Sequence, residues 1–464
     1  MATDAPPAGS ADVNLVMPTR ILVVGNGGRE HALAWKLAAE PGVNEVVVAP
    51  GSAGIAAEPR VRVVDVAAMS IGAIVDLARS RAVELVVVGP EAPLAGGLAD
   101  ALIEARIPVF GPIRAAAAIE WSKAFCHEVA AAAGVRMAGS RVCRSRAEAD
   151  IAIAPFAAAG TGFVVKEDGL AAGKGVTVFG PGETTEGLAP ALLDDLFADT
   201  MPDRQVLVEE RLYGPEASVI AICDGERAIA LPAARDHKRL GDDDTGPNTG
   251  GMGAYSPPPD LGETEIDRIV TEFHLPILRE LARRGTPFRG FLYAGLILTA
   301  DGPALLECNA RLGDPEAQVI LPLLGGALGP VLLAAAMGAL PADLPRRLLT
   351  MPGSAVGIVL AGEGYPADRS VGVPISGIEE AGRRGAFVFH AGTNMGVDGW
   401  VTSGGRILTV VGRGPDLSAA RAVAEAGAGA ISFEGSQRRH DIGLTRAGAL
   451  DPTVALDPTA ALAR

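Results

Sequence analysis

Cysteine is scarce: only Cys126, Cys143, Cys223 and Cys308 occur in 464 residues. They lie far apart, form no CxxC pair and have no histidine at zinc-ligand spacing, which excludes a disulfide framework and a structural zinc site. They are expected to be reduced, mostly buried thiols of a cytoplasmic protein. Positive charge is also in deficit, with 40 Lys and Arg against 55 Asp and Glu and a net charge of −15. That sign excludes nucleic acid or an anionic membrane surface as the main partner, and leaves small anions held by local basic loops. Met1–Arg20 carries Asp4 and no apolar core behind a basic start, so it is not expected to act as a secretory leader; residues 1–19 are expected to be a disordered extension. The uncharged run Val319–Ala342 is long enough for a membrane span, yet Pro322, Gly325, Gly326 and Pro330 break it into short buried helical pieces. No internal repeat is present.

What is there is the makeup of a folded globular protein, with 48% hydrophobic and 20% charged residues, and a length that implies two to four domains at roughly 100–200 residues each. Glycine, at 59 residues, points to many turns and close backbone approaches. Short apolar runs at Ile21–Val24, Val46–Val48, Val61–Val64, Leu85–Val88 and Pro108–Phe110 alternate with helical patterns, which predicts a parallel, doubly wound sheet over residues 20–121. A mixed domain over 122–345 follows, with a lid of strands around glycine-rich loops at about 140–210. A smaller α+β domain spans 346–443, and residues 444–464 read as a disordered tail.

A glycine turn between strand and helix exposes backbone N–H groups at the positive end of the helix dipole. Gly25-Asn26-Gly27-Gly28-Arg29 has that form, and reads either as an anion site helped by Arg29 or as a turn needed only for packing. Glu30 in place of the third glycine, and no acid after the next strand, argue against a dinucleotide site. Gly89-Pro90-Glu91 closes another strand of the same sheet, and Glu91 is placed to accept from sugar hydroxyls or merely to end a rigid turn. In Lys166–Val176 the spacing to Gly173-Lys174 is wrong for a P-loop, and Gly175 stands where Ser or Thr is needed. Lys166 at a strand end and Lys174 on a glycine hairpin instead fit a lid over polyphosphate. Val208–Leu212 offers backbone groups to a flat base. Glu307-x-Asn309 places a carboxylate and an amide oxygen on one face of a strand, a pair of hard ligands for Mg²⁺ completed by phosphates and water. The long stretch Asp236–Pro259 is read as a functional loop. His127, His274, His390 and His440 are given no role.

In order, GNGGREH (25–31), VGPEAPL (88–94), SKAF (122–125), DGLAAGKGV (168–176), VEERL (208–212), DHKRLGDDDTGPNTGGMGAYSP (236–257), GFLYAGL (290–296) and ECNARLGDPE (307–316) closely resemble the phosphoribosylamine–glycine ligases, or glycinamide ribonucleotide synthetases, of the ATP-grasp superfamily. The resemblance covers about Arg20–Gly443. It implies a pre-ATP-grasp Rossmann-like domain, an ATP-grasp domain with a mobile lid, and a small C-terminal domain. The implied reaction joins glycine to 5-phosphoribosylamine with ATP and Mg²⁺ or Mn²⁺, through glycyl phosphate, in de novo purine synthesis. Small molecules are then the partners, and a monomer or at most a weak dimer is expected. By the same resemblance Lys123, Lys166, Gly173, Lys174, Glu209, Glu210, Leu212 and Glu216 contact ATP, and Glu307 and Asn309 the metal. Asn26, Gly27, Gly28, Arg29, Gly89, Pro90, Glu91 and Arg239 hold the phosphoribosyl part, while Arg311, Asp314, His237 and Lys238 serve the reacting glycine. Arg439–Ile442 matches a family segment with a structural or product-side role. Two departures stand out: Trp121 replaces the usual glycine before Ser122, and Glu167 a small residue after Lys166. Two alternatives remain, an ATP-grasp ligase with another acceptor and a nucleotide-binding regulator that has lost catalysis.

Overall fold

The computed structural model describes residues 15–169, 175–181, 188–198 and 205–444. Gly173 and Lys174 lie outside the described residues.

Ile21–Val24, Val46–Val48 and Leu85–Val87 are entirely buried, as β-branched runs must be in a parallel sheet covered by helices on both faces. The strands run in the order Val61–Val63, Glu45–Pro50, Arg20–Gly25, Leu85–Val88, Val109–Phe110, all parallel. The chain moves outward from Arg20–Gly25 in one direction and then returns to pair its other edge. The crevice at such a reversal is where open α/β sheets bind ligands, and Gly25–Arg29 and Gly89–Glu91 both leave the sheet there.

An antiparallel sheet ordered Ala228–Ala230, Glu216–Asp224, Arg289–Thr299, Gly302–Asn309 forms the centre of the second domain. Its inner face packs on the helical run Glu263–Arg283, where His274 is buried with Nε2 3.2 Å from the Val219 carbonyl, a satisfied core histidine. The lid is a separate antiparallel sheet, Ser140–Cys143, Val206–Glu210, Phe163–Glu167 and Val176–Phe179 in that order, with stacked Phe163 and Phe179 rings in its core.

The segment 236–259 differs from the long loop expected. Arg239–Gly241 and Thr245–Asn248 form a hairpin, while Arg235–Asp236 and Gly253–Ser256 join the C-terminal sheet beside Ser354–Ala361, Arg406–Gly414 and Phe387–His390. Its backbone groups are paired with strands about a hundred residues away, which local pattern does not reveal. Arg439 is buried beneath it and ties the hairpin down through Asp244, Asp441 and the Arg239 carbonyl.

Val319–Ala342 breaks into the helix Glu316–Ile320, a 3-10 turn Leu321–Leu323 and the helix Gly329–Ala336. Among the described residues no helix is long and apolar enough to cross a membrane. All four cysteines are buried and free.

Candidate active site

Alternation along Gly302–Asn309 turns Glu307 and Asn309 to the same side and Cys308 into the core. Glu307 lies opposite Gly295, where an added Cβ would come within 3.0 Å of its Cγ. Burial disfavours the Glu307 charge, but Lys238, Lys166, Arg311 and Lys123 outweigh it and hold the carboxyl below its ordinary range. Among the described residues neither Glu307 nor Asn309 has a side-chain hydrogen-bond partner. An ionised carboxylate with free lone pairs beside an amide oxygen suits a hard divalent cation. No group of three or more acidic, His or Cys side chains is gathered among the described residues, so such a cation would need substrate phosphates and water for the rest of its shell.

One cleft brings together Lys123, Lys166, Glu209, Glu307, Asn309 and Arg311. Lys123 begins the helix Lys123–Ala132, its ammonium on the Gly169 carbonyl at 3.0 Å and its backbone N–H on Asp168 Oδ1 at 2.5 Å. Burial pulls the Lys123 pKa down, against Glu307 and Asp168. Lys166 donates to Glu209 Oε2 at 2.8 Å and to the Leu306 carbonyl at 3.0 Å. The carboxylate beside this lysine is therefore Glu209, from the neighbouring strand, and not Glu167, whose side chain leaves the opposite face. His127, to which the sequence pattern assigned nothing, also lines the cleft, with Nε2 2.8 Å from Glu209 Oε1. Trp121 does not line it, and its buried indole Nε1 has no partner among the described residues.

Of the other residues expected at the nucleotide, Glu210 and Leu212 are read as acting through backbone groups, which leaves their side chains to other partners. Glu210 accepts from the Gly139 N–H at 2.8 Å, Glu216 pairs with Lys238 at 2.6 Å, and Leu212 stands half-buried outside the cleft lining.

The first-domain crevice meets this cleft through Arg311. Its Nε is 3.2 Å from Glu91 Oε2 and its Nη2 2.9 Å from Glu120 Oε1, so the side chain bridges both walls. Arg29 lies buried beside them, with Nη1 on the Leu312 carbonyl at 3.0 Å and Nη2 3.8 Å from Glu91. The helix Gly28–Ala38 carries its own anion: Glu30 accepts from the Gly27 N–H at 2.7 Å and from Arg29 Nε at 2.7 Å. Gly89 is glycine because a Cβ there would fall 2.2 Å from Glu30 Oε1. Asn26 is exposed at the turn, and Pro90 caps the short helix Glu91–Ala95.

Asp314 accepts from Gln318 at 2.8 Å and pairs with Arg406 at 3.2 Å; burial disfavours its charge, but Arg406, Arg29 and Arg311 together with the Gln318 hydrogen bond hold the carboxyl below its ordinary range. Arg406 comes from the C-terminal sheet and also binds the Gly250 carbonyl at 2.6 Å, closing the glycine-rich turn onto Asp314. Nothing in local sequence marks Arg406, or Glu120, as part of this site. Burial works against the charge of Lys238, and Glu216, Asp236 and Glu307 outweigh it, holding the ammonium protonated. Burial, aided by Glu316 and Glu216, pushes the Asp236 carboxyl up to about 7. His237 and Arg239 are turned into the hairpin: His237 Nδ1 lies 3.9 Å from Asp244, and Arg239 donates to the Gly246 carbonyl at 2.8 Å.

With this geometry in place, comparison with known proteins is direct. Family models match in series: the phosphoribosylglycinamide synthetase N domain over residues 19–120, its ATP-grasp (A) domain over 121–317 and its C domain over 355–445. The phosphoribosylamine–glycine ligase of Streptomyces coelicolor is 47% identical over 433 residues, 93% of this chain and 100% of that one. That of Mycobacterium leprae is 46% identical over 431 residues, 92% of this chain and 98% of its own. The crystal structure of the Thermotoga maritima phosphoribosylamine–glycine ligase superposes with a TM-score of 0.75 at 32% identity, covering 91% of this chain and 99% of the other. The biotin carboxylase domain of a Hydrogenobacter thermophilus 2-oxoglutarate carboxylase shares the fold, with a TM-score of 0.65 at 16% identity over 91% and 92% of the two chains. The chain belongs to the phosphoribosylglycinamide synthetase family, whose central domain is an ATP-grasp domain.

Proposed function

We propose that the chain ligates glycine to 5-phosphoribosylamine with ATP, yielding glycinamide ribonucleotide, ADP and phosphate in de novo purine synthesis. The observation that carries the residue assignment is Arg311, which joins the lysine- and Glu307-lined cleft to the Arg29–Glu91 crevice in one continuous site.

A carboxylate is a poor electrophile, so a glycine oxygen first takes the γ-phosphoryl group and ADP leaves. The neutral amine of phosphoribosylamine then attacks the acyl carbon, the C–O bond to phosphate breaks, and the amine sheds a proton. Lys123 and Lys166, with Lys174, meet the nucleotide phosphates and balance charge developing on the transferring group. Arg311 offers its guanidinium to glycine's carboxylate and Asp314 its carboxylate to glycine's amine. Arg29 and Glu91, at the reversal of the parallel sheet, hold the phosphoribosyl part. Lys238 stays a cation beside Glu307 and Asp236 and steadies the negative charge between the two substrates. Glu307 and Asn309 would hold Mg²⁺ or Mn²⁺, which when bound neutralises charge on the nucleotide's phosphates. The acyl phosphate hydrolyses readily, so a cleft roofed by the lid and the 236–259 segment serves to exclude water. The protein works on these small molecules in the cytoplasm, as a monomer or weak dimer, with neither nucleic acid nor membrane as partner.

Glycine labelled with ¹⁸O in its carboxyl tests this route. One label per turnover is expected in the released phosphate; unlabelled phosphate would rule out the acyl phosphate.

A further inference from the structure

His127 is joined to the nucleotide lysine by a continuous chain of contacts. Ser140 Oγ lies 3.0 Å from His127 Nδ1, His127 Nε2 lies 2.8 Å from Glu209 Oε1, and Glu209 Oε2 lies 2.8 Å from Lys166 Nζ. One helix and three lid strands supply the chain, with Ser140 opening the strand Ser140–Cys143. The helix Lys123–Ala132 carries His127 one turn beyond Lys123, so both face the cleft. The lid strands Phe163–Glu167 and Val206–Glu210 place Lys166 opposite Leu207, with Glu209 two residues along on the same face. His127 thus adds a tie between the lid sheet and the central domain inside the cleft, beside those of Lys166 to the Leu306 carbonyl and Lys123 to Asp168 and Gly169.

We propose that His127 is a positioning residue for ATP: it takes one oxygen of Glu209 so that Lys166 is seated by that carboxylate without being captured by it. The side chain of Glu209 is only 2% exposed, and a desolvated carboxylate must find its partners inside the protein. With His127 as second donor, the Glu209 charge is divided between two groups. Lys166 has three N–H donors, of which one goes to Glu209 and one to the Leu306 carbonyl, leaving the third for a phosphate oxygen. Without His127, Lys166 is the side-chain donor left to Glu209 among the described residues, and a nucleotide phosphate must compete for it. The contact tolerates either state of the ring, since Nε2–H donates to Glu209 in the imidazolium and in the neutral tautomer whose Nδ1 accepts from Ser140.

The proposal rests on the reading of Lys166 as a phosphate contact, and the test separates the two. His127→Leu keeps bulk and loses the donor, while His127→Gln keeps an N–H; Lys166→Met is the control. His127→Leu is expected to raise KM for ATP about tenfold, the size of one charge-assisted hydrogen bond, with KM for glycine and kcat at saturating ATP within about twofold. His127→Gln is expected to recover most of that loss. An unchanged KM for ATP in His127→Leu, with Lys166→Met raising it, would overturn the role of His127 alone. An unchanged KM for ATP in Lys166→Met would remove the reading of Lys166 and the proposal with it. Equal increases for all substrates, tracking a lowered Tm and unrepaired by Gln, would reduce His127 to a structural part. Should His127→Leu not fold, His127→Ala takes its place in the same comparison.

Discussion

Glu307 shows how much of this site is made by its neighbours. A strand carboxylate with four cations around it, and no hydrogen-bond donor on its oxygens among the described residues, is poised for a divalent cation. Glu307→Gln keeps shape and removes charge, and is expected to lower kcat on the order of 100-fold or more with little change in Tm, checked by steady-state ADP release and thermal melting. Buried histidines govern a different property. Burial drives His274 down to about 4 and His390 to about 3 from 6.5, so both are neutral in the folded protein while the unfolded chain protonates them. Unfolded chains then bind more protons below pH 6.5, and stability falls as pH drops from there toward 4, by about 1.4 kcal/mol per unit for each histidine. Denaturant melts from pH 7 to pH 4 should show this slope, and His274→Gln should flatten it; an unchanged slope would contradict the assignment.

Between residues and domains, the informative units are turns and strand pairings. The Gly25–Arg29 turn was legible as a strand–glycine–helix junction, because glycine spacing and the apolar run before it are local. The meaning of its departure from the dinucleotide pattern was not: Glu30 folds back on the helix N-terminus, and Gly89, distant in sequence, is cut away to admit it. Gly89→Ala should displace that carboxylate and cost about 1–3 kcal/mol, measured by chemical denaturation, with weakened use of phosphoribosylamine. Strands such as Leu85–Val88 were readable for the same local reason, since unbroken β-branched runs bury both faces. The Asp236–Pro259 segment was not, because Ala254 pairs with Gly357 and the glycines that signal a loop also allow tight strand crossings. His127 was missed for want of any pattern except its one-turn offset from Lys123, and Arg406 because its partners come from other domains.

At the scale of the whole molecule, the C-terminal sheet reaches into the candidate site. Arg406 reaches from it to Asp314 and Gly250, and the His390 N–H donates to His31 Nδ1 at 2.8 Å, two residues along the helix from Arg29. Arg406→Ala should therefore raise KM for glycine about tenfold while KM for ATP stays within about twofold, read from initial rates with each substrate varied. The net charge of −15 works against the approach of anions, so the lysines and arginines that line this cleft are what favours them locally. On the function proposed above, one continuous site couples ATP to the joining of glycine and phosphoribosylamine. Purified protein given Mg²⁺-ATP and freshly generated phosphoribosylamine, with and without glycine, tests it most directly. The account predicts ADP release that depends on glycine and a product with the mass of glycinamide ribonucleotide; ADP release indifferent to glycine, or no such product, would contradict it.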